Sequence, residues 1–256
     1  MLLSVLFSIA HAISPNTTDP VAILRATQPA LIGKRRSAQL SVTTERAGTD
    51  PQIIRAQLSS MDLVHESRTL VRIEEPEEHR NTALLFALSN DGQSSKTWLY
   101  LNSLQEPTEL NGVNQSASFM GTDFLYSDLV PSPIDEWTFS LLSPSTPYND
   151  EPCWLIEGRP KPGTSNYSKT HIWISQQKEA IVQTKAWIPS SRQIKTLSFD
   201  DWTHFGGHWY AKRIHAQTRG KSGVISTSTL VLGALKLNAP NINAADFSLE
   251  NLGLNR

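Results

Sequence analysis

The stretch Ala180-Ile181-Val182-Gln183-Thr184-Lys185-Ala186-Trp187-Ile188 predicts a β-strand, because polar and apolar side chains alternate along most of it. Successive side chains of a strand point to opposite faces of the sheet. One predicted face is largely apolar and consists of Val182, Thr184, Ala186 and Ile188. The opposite face is mixed and consists of Ile181, Gln183, Lys185 and Trp187. A sheet with one apolar face must be covered on that side.

Similar runs recur from about Arg36 onward, and turn-forming residues separate them. The further strand candidates are residues 68–73, 82–88, 97–101, 137–142, 153–157, 170–175, 194–199, 208–218 and 224–235. Tight turns are indicated at Asn90-Asp91-Gly92, Lys161-Pro162-Gly163 and Gly206-Gly207. Roughly eleven strands at this spacing predict an antiparallel arrangement. We therefore expect an α+β, mainly β protein, with a strongly curved antiparallel sheet or incomplete β-barrel covered by short helices.

Two segments are available to cover the apolar face. Asp19 can cap a helix that begins at Pro20, since proline suits the first helical position. The segment Phe119-Met120-Gly121-Thr122-Asp123-Phe124-Leu125-Tyr126-Ser127-Asp128-Leu129 combines aromatic residues with a turn glycine and two acids. Gly121 permits a turn and Thr122 or Asp123 can cap a short helix. Phe124, Leu125 and Leu129 can then point into the sheet.

The first twelve residues form an apolar run that ends in Ala10-His11-Ala12, the small-residue pattern that precedes signal-peptidase cleavage. We expect residues 1–12 to be a cleaved signal peptide that directs export to the periplasm, and residues 13–256 to form one domain. The alternative is that the run is a buried N-terminal strand. No later window has the roughly 18 to 20 uninterrupted apolar residues that a membrane-spanning helix needs.

The charge pattern and the chemistry-bearing residues exclude several function classes. The net charge is -1 with acids and bases interspersed, so nucleic acid is not an expected partner. Cys153 is the only cysteine and is predicted to be a buried small hydrophobe, which excludes an internal disulfide and a cysteine-rich zinc site. His208 and His215 are seven residues apart on one predicted strand and would face opposite ways, so no metal site is expected.

A nucleophile motif of the Gly-x-Ser-x-Gly type is absent from the sequence. The protein is therefore not expected to be an enzyme, to have catalytic residues or to require a cofactor. An enzyme with a site around Asp201, His204 and His208 remains the third alternative.

The segment from Phe119 to Leu129, with Trp98-Leu99-Tyr100-Leu101 before it and Tyr167-Ser168-Lys169-Thr170-His171-Ile172-Trp173-Ile174 after it, resembles the outer membrane lipoprotein-sorting protein family. That family is distantly related to the periplasmic lipoprotein carriers. The resemblance implies a curved sheet, with helices across its concave face, that holds a lipid or a lipoprotein acyl chain in an apolar cavity. It also implies peripheral contact with membranes and partners such as an inner-membrane exporter or an outer-membrane acceptor.

Large aromatic and apolar side chains are the candidates for lining such a cavity. They are Trp98, Tyr100, Phe119, Phe124, Tyr126, Leu129, Trp173 and Trp187. Each of them could instead fill an ordinary core. The main alternative function follows from that second possibility. It is an envelope assembly or interaction protein with a filled core, which binds another protein through a sheet edge or an aromatic patch.

Overall fold

The structure is a computed structural model that describes residues 13–27, 35–89, 94–111, 115–129, 133–205, 208–233 and 235–253. The predicted signal peptide, residues 1–12, lies outside these ranges. So do the predicted turns at Asn90-Asp91-Gly92 and Gly206-Gly207. Strand residues on either side of the second turn do pair, since Phe205 lies opposite His208.

The described chain forms one sheet of fourteen strands in the order β6-β5-β4-β3-β2-β1-β13-β12-β11-β10-β9-β8-β7, with β14 paired to β1. The strands are β1 (Arg35–Arg46), β2 (Gln52–Asp62), β3 (Glu66–Glu75), β4 (Ala83–Ser89), β5 (Ser95–Tyr100), β6 (Pro107–Glu109), β7 (Trp137–Tyr148), β8 (Glu151–Pro160), β9 (Lys169–Ser175), β10 (Ala180–Ile188), β11 (Gln193–Phe205), β12 (His208–Gly220), β13 (Gly223–Leu232) and β14 (Lys236–Leu237). Neighbouring strands pair antiparallel, and β6 and β7 are the two edges of an open sheet. The predicted mainly β, antiparallel fold is confirmed.

Short helices accompany the sheet. Helix α1 is Pro20–Ala26, and the Asp19 side chain accepts a hydrogen bond of 2.9 Å from the Val21 backbone N–H, as predicted. Helix α2 is Tyr126–Leu129. Single turns of 3-10 helix are Glu77–His79, Ile134–Glu136, Ala244–Phe247 and Leu249–Asn251. No helix in the described ranges is long and apolar enough to cross a membrane.

The two faces of the sheet are covered by different parts of the chain. On the face that we call the inner face, the main apolar cluster includes Leu40, Ala56 and Leu230, and it also contains residues of α1 and of residues 117–129, the covering segment. On the opposite or outer face, a second cluster joins β3, β4 and β5 to the C-terminal residues 239–252. The core is therefore continuous on the inner face and local on the outer one.

A β-bulge changes the predicted face pattern of β10. Ile181 lies opposite Ile174 of β9, whereas Gln183 lies opposite Trp173, so one extra residue is inserted between them. Directly paired residues point to the same face. Ile181 consequently belongs to the inner-face cluster, and the prediction that it faces away from Thr184 is wrong.

Candidate functional site

The covering segment folds back on itself before it reaches α2. The Phe119 N–H donates to the Phe124 carbonyl at 2.7 Å, and the Thr122 hydroxyl donates to the Phe119 carbonyl at the same distance. Gly121 has a φ of +78°, a conformation that glycine adopts without steric cost. The rings of Phe119 and Tyr126 pack edge to face, with their centroids 5.7 Å apart. This tight loop places its aromatic rings against the inner face.

A buried acid, Asp123, attaches the covering segment to β12 and β13. Its carboxylate accepts hydrogen bonds from the hydroxyls of Thr218, Ser226 and Ser228, the last at 2.8 Å. The Asp123 N–H donates back to the Ser228 hydroxyl at 2.8 Å. Thr44 of β1 adds a further hydroxyl contact of 2.8 Å to Ser228. The loop is therefore held by polar contacts as well as by its apolar side chains.

A second buried acid, Asp128, attaches the same segment to β11. It forms an ion pair with Lys195, whose side chain is 2% exposed, and it accepts a hydrogen bond of 3.0 Å from the Tyr167 hydroxyl. The Leu125 N–H donates to it at 2.6 Å. Burial lowers the pKa of Lys195, and the attraction of Asp128 opposes that shift. Burial, followed by the charge of Asp128, raises the pKa of the Tyr167 hydroxyl well above its usual value.

Helix α1 is attached in a different way. It lies against the edge strand β7, and its buried residues are Ile23 and Leu24. Among the described residues that flank it, the Ile13 N–H donates to the Glu179 carboxylate at 2.9 Å. Seven residues and two buried aliphatic side chains make α1 the smaller of the two inner-face covers.

The structure divides the eight predicted site residues between the two faces. Phe119, Phe124, Tyr126 and Leu129 lie together in the inner-face cluster. Trp98 and Tyr100 pack in the outer cluster with the C-terminal residues. Trp173 pairs with Gln183, and Trp187 pairs with Lys169. Both pairs lie on the face opposite Ile172 and Ile174, so the two tryptophans also face outward. The predicted role of all eight in lining a cavity stays a prediction.

The outward tryptophans stand among charged groups. Lys169 and Lys185 lie 4.5 Å and 5.3 Å from the centre of the Trp187 ring. His171 contacts the same ring, and it shares a hydrogen bond of 3.1 Å with Glu157. That hydrogen bond, with those from Arg159 and Lys169, lowers the pKa of the Glu157 carboxyl. The surface around Trp187 is therefore mixed rather than purely apolar.

A pocket of about 390 Å³ opens on the outer face. It lies between the start of β1, the end of β2 and the C-terminal residues. Its lining residues are Arg35, Met61, Asn238, Ile242, Asn243 and Ala244.

The histidines that raised the question of a metal have other contacts. The His204 ring packs against Trp209 with centroids 5.0 Å apart, and His215 lies 3.1 Å from the Asp200 carboxylate. Within the described ranges, no group of three or more His, Cys, Asp or Glu side chains is placed to hold a metal ion.

The predicted burial of Cys153 is confirmed, because its side chain is 0% exposed. Burial, with the nearby charge of Glu151, raises the pKa of the thiol to about 11. The thiolate is the reactive form of cysteine. We therefore expect Cys153 to react with a disulfide reagent at pH 8 at least about a hundredfold more slowly in the native protein than in urea. Comparable rates of reaction with the reagent in the native protein and in urea would contradict the burial of Cys153.

The comparisons with known proteins follow the fold. A family described as "uncharacterized protein" matches residues 65–253, and no curated protein matches the sequence. A domain from Vibrio parahaemolyticus described as outer membrane lipoprotein-sorting is 21% identical, with a TM-score of 0.74 over 86% of this chain and 92% of that one. A DUF1329 family protein from Desulfovibrio piger is 18% identical, with a TM-score of 0.71 over 84% and 90%.

A LolA superfamily protein from Nitrosomonas europaea is 20% identical, with a TM-score of 0.68 over 91% of this chain and 98% of that one. Identities at this level establish a shared fold. The chain belongs to the family whose model matches residues 65–253, and its fold is that of the lipoprotein-sorting and LolA superfamily proteins.

Proposed function

We propose that the protein is a periplasmic carrier that holds a lipid or a lipoprotein acyl chain against the inner face of its sheet. The observation that carries the proposal is the position of the main apolar cluster. It lies on the inner face of an open sheet, and in the part of the chain that the structure describes it is closed by α1 and the covering segment rather than by a second sheet. The fold shared with a lipoprotein-sorting domain supports the same function.

Burial of apolar surface is enough to drive such binding. Each methylene of an acyl chain contributes on the order of 0.8 kcal/mol when it leaves water. The proposed cycle contains no chemical step, so it requires no catalytic residues and no cofactor. Loading and release would occur at an inner-membrane exporter and an outer-membrane acceptor, with peripheral contact at each membrane.

The residues of the inner-face cluster are buried beneath the two covers, so we infer that a ligand displaces one of these covers. The covering segment is the costly one to move, because displacing it would separate the buried Asp128 from Lys195 and Asp123 from its three hydroxyls. Lifting helix α1 would instead expose two buried aliphatic side chains, Ile23 and Leu24. We infer that α1 lifts while the covering segment stays in place.

The packed inner face also favours the second candidate function, an envelope interaction protein with a permanently filled core. In that case the surface around Trp173 and Trp187, or an edge strand, would contact a partner protein. The two functions differ in whether the protein ever holds lipid.

The first test is native mass spectrometry with lipid extraction, on the mature protein purified from a periplasmic fraction. We expect co-purified lipid or acylated peptide at close to one per chain. A lipid-free protein that also fails to bind a dansyl-labelled fatty acid would overturn the carrier function and leave the interaction protein.

A variant of α1 tests how the site opens. Ile23 is 0% exposed, and truncating a buried isoleucine costs about 2–5 kcal/mol. If part of that loss destabilises the closed position of α1, the fraction of molecules in which α1 is lifted rises. We expect Ile23→Ala to bind the dansyl fatty acid about tenfold faster in stopped flow, because about 1.4 kcal/mol corresponds to a factor of ten. The exposed Leu104→Ala control should leave the rate unchanged, and an unchanged rate in Ile23→Ala would reject opening at α1.

A further inference from the structure

Trp154 occupies an unusual position in the inner-face cluster. It lies on β8 opposite Ile174 of β9, and its side chain is 0% exposed. The indole nitrogen Nε1 is buried and has no hydrogen-bond acceptor in the described part of the chain. Buried tryptophans usually find a partner for this N–H group. An unpaired donor destabilises the closed protein, because its hydrogen bond to water has been lost.

The surroundings of Trp154 restrict what could accept this hydrogen bond. Its neighbours on the inner face of β8 and β9 are Ile156, Ile172 and Ile174, all of them buried. A charged acceptor would be costly among these side chains, whereas a neutral oxygen needs only one donor. Strand β8 pairs with β7, the strand against which α1 lies. The unpaired donor therefore belongs to the same apolar cluster as Ile23 and Leu24, the buried residues of the cover that we infer to lift.

We propose that the Trp154 Nε1–H donates a hydrogen bond to the carbonyl oxygen of an ester- or amide-linked acyl chain bound beneath α1. This inference rests on the carrier function proposed above and adds the chemical class of the ligand. The apolar cluster accommodates the hydrocarbon chain, and Trp154 distinguishes an acylated molecule from a plain hydrocarbon. The hydrogen bond is absent from the closed protein and forms only with the ligand, so it contributes to selectivity as well as to affinity.

The test compares two probes of similar length, methyl decanoate and undecane, by their displacement of a dansyl-labelled fatty acid. We measure the ratio of their dissociation constants in the wild-type protein, in Trp154→Phe and in Trp209→Phe. Trp209→Phe makes the same chemical change at a tryptophan whose ring packs against His204. We expect Trp154→Phe to lose about tenfold of the relative preference for the ester, the size of one ordinary hydrogen bond. Trp209→Phe should keep the wild-type ratio.

The outcomes separate the two proposals. If the wild-type protein binds none of the three molecules (the dansyl fatty acid, methyl decanoate and undecane), the carrier function is rejected. Binding with a ratio that Trp154→Phe leaves unchanged rejects the Trp154 contact alone.

A second measurement does not depend on how well Trp154→Phe folds. In protein labelled with ¹⁵N at the tryptophan indoles, the Trp154 resonance should shift downfield in its proton dimension when methyl decanoate binds, because the N–H gains an acceptor. Undecane should not produce that shift. Equal shifts with the two probes would overturn the inference.

Discussion

Replacing Lys195 with methionine is expected to lower the free energy of unfolding by about 3–5 kcal/mol, because it leaves the carboxylate of Asp128 buried without its cation. In the wild-type protein the two side chains are 2% and 7% exposed. The remaining contacts to Asp128 include the Tyr167 hydroxyl at 3.0 Å and the Leu125 N–H at 2.6 Å. Neutral donors do not replace a positive charge at such a position. Urea unfolding followed by tryptophan fluorescence measures the loss.

Two comparisons make this result specific. Lys212→Met removes a lysine whose side chain is 43% exposed and 3.2 Å from Asp201, so it should cost about 0–1 kcal/mol. The double variant Lys195→Met with Asp128→Asn removes both charges and should recover a large part of the loss. If Lys195→Met were no less stable than Lys212→Met, the covering segment would not depend on this ion pair.

Much of the sheet could be predicted because alternation is a local property. Strand β10 has the predicted limits of Ala180 and Ile188, and α1 begins at Pro20 with Asp19 as its cap. The bulge between Ile181 and Gln183 could not be predicted, because an inserted residue is recognised only from the pairing of two strands. Strand β7 continues to Tyr148 across Pro144 and Pro147, residues that an edge strand tolerates better than a central one.

The candidate site was less predictable than the sheet. A strand pattern says that Trp98 and Trp173 each lie on one face, but not which face becomes the inner one. Pairing across the sheet decides this, and it places both of them outward. Phe119 and Phe124 lie in the inner-face cluster, and their role in lining a cavity stays a prediction.

The buried ionic contacts were missed, although the sequence contains a signal for one of them. Lys195 alternates with Leu197 and Phe199, so all three share a face of β11. A lysine on the same strand face as two buried apolar residues predicts a buried positive charge, and such a charge requires an acidic partner. The identity of that acid could not be inferred, because Asp128 is 67 residues away in the chain. The hydroxyl cluster around Asp123 likewise forms only when β12 and β13 are paired.

Replacing Phe124 with alanine is expected to destabilise the protein by about 3–5 kcal/mol, the usual cost of truncating a fully buried phenylalanine. Phe124 is 0% exposed and lies between Asp123 and the start of α2 in the covering segment. Ile53→Ala is a suitable control, since Ile53 is 45% exposed on β2 and its truncation should cost about 0.5 kcal/mol or less. Urea unfolding of both variants measures the difference.

The binding kinetics of Phe124→Ala carry a second consequence. If the polar contacts of Asp123 and Asp128 keep the covering segment in place, loss of the Phe124 ring leaves a cavity without releasing the segment. Association of a dansyl fatty acid should then be unchanged in Phe124→Ala, under conditions in which the variant is folded, while Ile23→Ala associates faster. Faster association in Phe124→Ala but not in Ile23→Ala would mean that ligands enter beneath the covering segment, and that α1 is the fixed cover.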